Sequence, residues 1–206
     1  MKTVILATNN AHKVSEISSA LDFPGWEFKT LSEAGIDSDP DEDADTFLGN
    51  ARIKALAARA ASGGCAALAD DSGLEVDALG GAPGVYSSRF AGENATDEDN
   101  NNKLLADLKD IPDEKRTARF VCQLVFIDED GTEITTRGTV EGRIGYEPQG
   151  GGGFGYDPLF WPDVFNGDCT LAEVPQARKN EVSHRGNALR SLRFKIELEK
   201  AKWEAH

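Results

Sequence analysis

Residues 3–13 read Thr3-Val4-Ile5-Leu6-Ala7-Thr8-Asn9-Asn10-Ala11-His12-Lys13. A short apolar run ends in a polar turn, and a helical pattern follows with Val14, Ile17 and Leu21 on one face. A buried strand that feeds a capped helix is the usual opening of an α/β fold. The helix N-terminus also makes this turn a candidate anion site. Its backbone N–H groups point outward, and Lys13 lies one turn in.

The same alternation of patterns continues outward from this stretch. A second strand is predicted over Trp26–Leu31, then an acidic loop over residues 37–45, then an Ala-rich helix from about Thr46 to Ala61 that Gly63-Gly64 ends. Cys65–Ala69 reads as a buried strand with Asp70 and Asp71 at its C-terminal end, and Leu74–Leu79 as another strand. Thr96 is a helix cap with acids in the first turn and Leu104, Leu105 and Leu108 on the apolar side. Thr117–Ile127 and Thr132–Ile144 alternate as two strands around a turn at Asp128–Gly131. Residues 149–155 carry five glycines and fit no regular element. A last helix is predicted from about Glu181 to Trp203. No repeat, linker or low-complexity tail interrupts the chain, so its 206 residues read as one domain.

Composition narrows the function classes. The net charge is −14, from 36 acids and 22 bases, with no Lys/Arg run. Nucleic acid is a poor partner for such a surface, because its phosphates need a basic face. A small anionic ligand is not excluded, since a divalent cation can bridge carboxylates to phosphates. Cys65, Cys122 and Cys169 are scattered and form no CxxC pair, which points to reduced thiols and a cytoplasmic location. The apolar run at the N-terminus is too short for a signal peptide, and no segment reaches 18 apolar residues, so no membrane span is expected.

Several constellations carry chemistry. Asp70-Asp71-Ser72-Gly73 offers two adjacent carboxylates that point in opposite directions, one for a ligand and one for structure. Such a carboxylate can hold Mg²⁺ and orient a water. The loop at 37–45 holds six acids in nine residues, Glu42 among them, and can supply a second carboxylate. In Gly151-Gly152-Gly153-Phe154-Gly155-Tyr156-Asp157-Pro158 the aromatic is flanked by glycines, the pattern of an exposed stacking platform. This run lacks the Lys-Ser/Thr of a P-loop. Lys179 and Ser183-His184-Arg185-Gly186 bring cations that can clamp a phosphate or contact a base edge.

In combination, TNNAHK, the acid ahead of TFxxNAxxKA, LADDSGLEVDALGGAPGVYSSRFAG, GGFGYDPLF and KNEVSHRG occur in an order that resembles the inosine triphosphate pyrophosphatase family. That family includes the bacterial-type dITP/XTP pyrophosphatases of non-standard purine nucleotides. The resemblance runs from about Thr3 to Leu192. It implies an α/β fold with a long mixed central sheet, flanking helices and two lobes around a nucleotide-binding cleft. It also implies a homodimer and Mg²⁺-dependent hydrolysis of ITP, dITP and XTP to the monophosphate and pyrophosphate.

By the resemblance, Asp71 is the proton acceptor and a metal ligand, and Glu42 is the second metal ligand, with Asp41 or Asp43 as substitutes. Thr8, Asn9, Asn10, Ala11, His12 and Lys13 form the phosphate loop, and Lys54 faces the phosphates. Ser72 lies beside the substrate. Phe154, Gly155, Tyr156 and Asp157 bind the base, with Phe154 stacked on the purine. Lys179, His184 and Arg185 close on the nucleotide. Gly49 departs from the pattern, which has an acid before Asn50. Two other readings share parts of it. A pyrophosphatase of modified pyrimidines would keep the opening loop but lack the FGYDP and SHR segments. A non-catalytic nucleotide-binding module would keep the loops and lose a working Asp71.

Overall fold

The computed structural model describes residues 1–8 and 10–204, with the side chains at positions 11, 12 and 202–204 outside that description. The strands are β1 (Lys2–Leu6), β2 (Trp26–Thr30), β3 (Ala66–Val76), β4 (Thr117–Ile127), β5 (Glu133–Ile144) and β6 (Phe160–Pro162). The helices are α1 (Ala11–Ala20), α2 (Phe47–Ala61), α3 (Asp97–Asp107), α4 (Gln176–Val182) and α5 (His184–Glu204). The strands form one sheet in the order β2-β1-β3-β4-β5-β6. It is mixed, with β1 parallel to β2 and β3, and β5 antiparallel to β6.

The chain divides into two compact units. The first comprises Met1–Asp71, Cys122–Gly138 and Arg185–His206, and the second Ser72–Val121 and Thr139–His184. In the first unit β1, β3 and β4 are buried on both faces, which explains their apolar runs. Val4, Leu6, Ala66, Leu68, Cys122, Leu124 and Phe126 meet Ile17 and Leu21 of α1 and Ala188, Leu189 and Leu192 of α5. The alternate residues Ile5, Ala7, Ala67, Ala69, Val125 and Ile127 meet Ala51, Ala55 and Ala58 of α2. Alanine at these three helix positions lets α2 lie close against the strands. In the second unit Leu74, Val76, Phe120, Val140, Ile144 and Phe160 surround Leu104 and Leu108 of the α3 segment. A capping box starts α3: the Thr96 side chain accepts from Asp99 N–H, and the Asp99 side chain accepts from Thr96 N–H.

Two expectations are corrected, and one strand is added. Residues 66–76 are one strand, not two, so Asp70 and Asp71 sit inside β3 rather than at an end. The reason is charge pairing. Asp70 is buried like a core residue because cations from α1 and α5 neutralise it. The final helix is two helices, α4 and α5, with Ser183 in extended backbone between them. The short strand β6 carries too few residues to show a periodicity.

Candidate active site

Alternation along β3 sends its two adjacent carboxylates to opposite faces, Asp70 toward α1 and α5, Asp71 toward α2. Asp70 is fully buried, its side chain 0% exposed. Its Oδ1 accepts from Lys13 Nζ at 2.6 Å, and its Oδ2 accepts from Arg185 Nε at 2.8 Å and from the Cys122 thiol at 3.1 Å. Arg185 in turn donates from Nη1 to Glu16 Oε2 at 2.6 Å. Among the described residues, the acids Asp70 and Glu16 thus face the bases Lys13 and Arg185. Burial alone would raise the Asp70 pKa, but the Arg185 guanidinium and the Lys13 ammonium hold it well below the usual carboxylate range. Burial and the neighbouring Asp70 charge push the Cys122 thiol well up, so Cys122 stays protonated and donates.

Asp71 is placed differently. Its Oδ1 accepts from Lys54 Nζ at 3.0 Å, and the same ammonium donates to Glu42 Oε2 at 2.8 Å. Its Oδ2 is buried and has no hydrogen-bond partner among the described residues. Two carboxylates thus share one cation, leaving one net negative charge. Burial pushes the Asp71 carboxyl up, and the Lys54 charge offsets this only in part. Lys54 keeps its proton: burial pulls its pKa down, but the Asp71 charge and the Glu42 hydrogen bond more than compensate.

The acidic loop reaches this position because α2 anchors it. Thr46 caps α2 by accepting from Gly49 N–H at 3.1 Å, and Asn50 Oδ1 accepts from Ala44 N–H at 2.9 Å. Gly49 is where the loop comes closest. A Cβ there would lie 2.5 Å from Ala44 Cβ, so a side chain at 49 would displace the segment that follows Glu42. A cavity of about 200 Å³ opens beside these groups, lined in part by Thr8, Asn10, Lys13, Glu42, Lys54 and Asp70. A larger cavity, about 390 Å³, lies around Lys2, Trp26 and Phe126 and contains none of these groups.

The segment that the resemblance assigns to phosphate meets the start of α1 at Ala11. Thr8 Oγ1 accepts from Asn10 N–H, and Asn10 Oδ1 from Lys13 N–H. Asn9 lies outside the described residues, as do the side chains of Ala11 and His12. Ser72 follows on β3 and is half-buried.

The glycine-rich segment is held by many contacts. Asp157 Oδ2 accepts from Phe154 N–H at 2.8 Å and from Lys179 Nζ at 2.6 Å, with both ionic side chains 3% exposed. Gly153 stands at φ +73°, and a Cβ there would strike Asp157 Oδ2 at 2.2 Å, so only glycine fits. Tyr156 is buried and donates to Ser87 C=O at 2.8 Å. Phe154 is half-buried rather than exposed as the sequence pattern suggested, because the Lys179 ammonium sits 4.7 Å from its ring centroid. His184 is buried and stacks on Phe120 at 4.9 Å. Each cation that the resemblance directs to the nucleotide therefore already holds a carboxylate. Glu16 and Cys122, which hold Asp70 and its partner Arg185, had no local signal in the sequence.

A divalent cation fits the Asp71–Glu42 pair. The orphaned Oδ2 and the excess negative charge are what an oxygen-seeking cation neutralises. Mg²⁺ is commonly held by one or two carboxylates, with phosphate and water oxygens completing its shell. Among the described residues no group of three or more His, Cys, Asp and Glu side chains is placed to hold a metal. Among those residues no helix is long and apolar enough to cross a membrane.

The chain is similar to known proteins over nearly its whole length. A model of the Ham1 family matches residues 4–195. A dITP/XTP pyrophosphatase of Cutibacterium acnes is 48% identical, over 93% of this chain and 95% of that protein. One from Escherichia coli O157:H7 is also 48% identical, over 93% and 96%. Among solved structures, a HAM1 protein from Coxiella burnetii superposes with a TM-score of 0.87 at 40% identity, covering 96% of this chain and 99% of the other. The Staphylococcus aureus Ham1 protein gives 0.86 at 39% identity, over 96% and 100%.

Proposed function

The chain belongs to the Ham1 family, and from that premise we propose that it hydrolyses dITP, ITP and XTP to the nucleoside monophosphate and pyrophosphate, with Mg²⁺, and so clears non-standard purines from the nucleotide pool. The observation that carries the reading is Asp71. It is a buried carboxylate with one oxygen tied to Lys54 and the other unpartnered among the described residues, beside a second acid.

Asp71 takes the proton from the attacking water, and its free oxygen is the acceptor that this step needs. Lys54 keeps Asp71 and Glu42 side by side and neutralises part of the charge that develops on the phosphates. Asp71 and Glu42 are the residues that would hold Mg²⁺, which, when bound, screens the triphosphate and favours pyrophosphate as a leaving group. The N-terminus of α1, at Ala11, presents the positive end of a helix dipole to phosphate oxygens. Phe154 offers its ring to the purine, a contact that adds affinity but cannot discriminate between bases. Family resemblance supports a homodimer, and the free thiols of Cys65, Cys122 and Cys169 support a cytoplasmic location.

The test is pyrophosphate release from a panel of nucleotides. ITP, dITP and XTP should exceed ATP by at least ~10²-fold in kcat/KM, with GTP also poor, because a site built around a 6-oxo purine leaves buried groups unpaired against adenine. Activity should vanish in excess chelator and return with Mg²⁺. Equal hydrolysis of ATP and ITP would refute the substrate assignment, and full activity in chelator would remove the metal.

A further inference from the structure

Residues 150–155 present a mechanical problem. Gly150, Gly153 and Gly155 all stand at positive φ, and no regular element supports the segment. Glycine loses more freedom on ordering than any other residue, so such a loop holds an aromatic in place only if its backbone is tied down. Gly152 N–H donates to Ala172 C=O, and Phe154 N–H to Asp157. The peptide groups of Gly155, immediately after Phe154, are held from one helix. Its N–H donates to Asp97 Oδ2 at 2.7 Å, and its C=O accepts from Asn101 Nδ2 at 3.0 Å.

Asp97 and Asn101 are one turn apart on α3, so their side chains leave the helix on one face. The spacing matches the reach between a residue's own N–H and C=O. Asn101 is buried, and its Oδ1 has no hydrogen-bond partner among the described residues. An apolar side chain would fill the position without leaving that oxygen unmet, so packing alone does not explain an asparagine there. The run Asn100-Asn101-Asn102 is also poor helix sequence. Asn100 completes the pattern by accepting from Ala91 N–H at 2.8 Å and donating to Ser88 C=O at 3.1 Å. This face of α3 is a row of side chains that grip loop backbone.

We propose that Asp97 and Asn101 are positioning residues for base binding: they clamp the Gly155 peptide and thereby fix the Phe154 ring in the orientation that stacks on the purine. The proposal rests on the reading of residues 154–157 as the base-binding segment. It makes α3, through residues outside the recognised motifs, a determinant of nucleotide affinity. Preorganising the loop lowers the ordering cost at binding, so loss of the clamp weakens binding of the base and leaves the chemical step intact.

The experiment compares Asn101→Leu, Asp97→Ala, Asp97→Asn and Phe154→Ala, with ITP as substrate and inorganic tripolyphosphate as competitive inhibitor. Asn101→Leu and Asp97→Ala should each raise KM by ~2- to 10-fold, the effect of one lost hydrogen bond, with kcat within about twofold. The inhibition constant of tripolyphosphate, which has no base, should not change. Asp97→Asn should recover most of the affinity, because its amide oxygen can still accept from Gly155 N–H. Unchanged KM in folded Asn101→Leu and Asp97→Ala, while Phe154→Ala raises it, would overturn the clamp and leave the base-segment reading standing. Unchanged KM in all of these variants would overturn both. Equal weakening of ITP and tripolyphosphate would also overturn the clamp, since it would mark a general structural defect.

Discussion

The two faces of β3 carry the same side chain in adjacent positions and put it to opposite uses. On the α1–α5 face, Asp70 is fully buried and meets Lys13, Arg185 and the Cys122 thiol, with Glu16 on the far side of Arg185. On the α2 face, Asp71 is 12% exposed, shares one lysine with Glu42 and keeps one oxygen unpartnered among the described residues. The difference is one of satisfaction. A carboxylate whose every oxygen is met is part of the architecture, whereas one left short of partners is poised to take a cation or a proton. The second unit repeats the first arrangement at Asp157, which Lys179 and Phe154 N–H satisfy in a buried setting.

The comparison predicts a stability effect on one face and a metal effect on the other. Arg185→Met would leave Asp70 and Glu16 buried with less countercharge. Breaking a buried pair by removing one partner typically costs ~3–5 kcal/mol. Urea unfolding should show a loss of that size, and a loss below ~1 kcal/mol would mean that the Asp70 network is not structural. Glu42→Gln addresses the other face and should act more weakly. The Glu42 side chain is 35% exposed, so stability should change by no more than ~1 kcal/mol. The Mg²⁺ concentration for half-maximal activity should rise on the order of tenfold, since a charge at contact distance in a partly exposed site exceeds the ~1.4 kcal/mol that a tenfold change represents. An unchanged Mg²⁺ requirement would remove Glu42 from the metal and turn attention to Asp41 or Asp43.

Much of this was legible from local pattern. The first strand and the helix after it, the start of the Ala-rich helix near Thr46, the Thr96 cap and the alternation through 117–127 depend on neighbours a few residues away, and all appear in the structure at nearly the expected bounds. The polar stretch Asp70-Asp71-Ser72-Gly73 misled, because it resembles a strand end. Its burial depends on Arg185, 115 residues away, a partner that no local pattern reveals. The same limit applies to the site. The family resemblance pointed to Asp71, Glu42 and Lys54, but not to which cation holds which carboxylate. Only the fold shows that Lys13 and Arg185 pair with Asp70, that Lys179 pairs with Asp157, and that a Cβ at Gly49 would collide with Ala44. The asparagine run in α3 carried no reading from the sequence, because the Gly155 carbonyl that Asn101 holds lies 54 residues away.

The most direct test of this division of labour is a paired measurement of turnover and thermal unfolding on Asp71→Asn and Asp70→Asn. Asp71→Asn should lose at least ~10²-fold in kcat, the scale of a missing general base, with its melting temperature unchanged. Asp70→Asn should melt at a lower temperature, because Arg185 and Lys13 lose the charge they surround, while its folded fraction turns over substrate far faster than Asp71→Asn. Near-normal turnover in a folded Asp71→Asn protein would contradict the account.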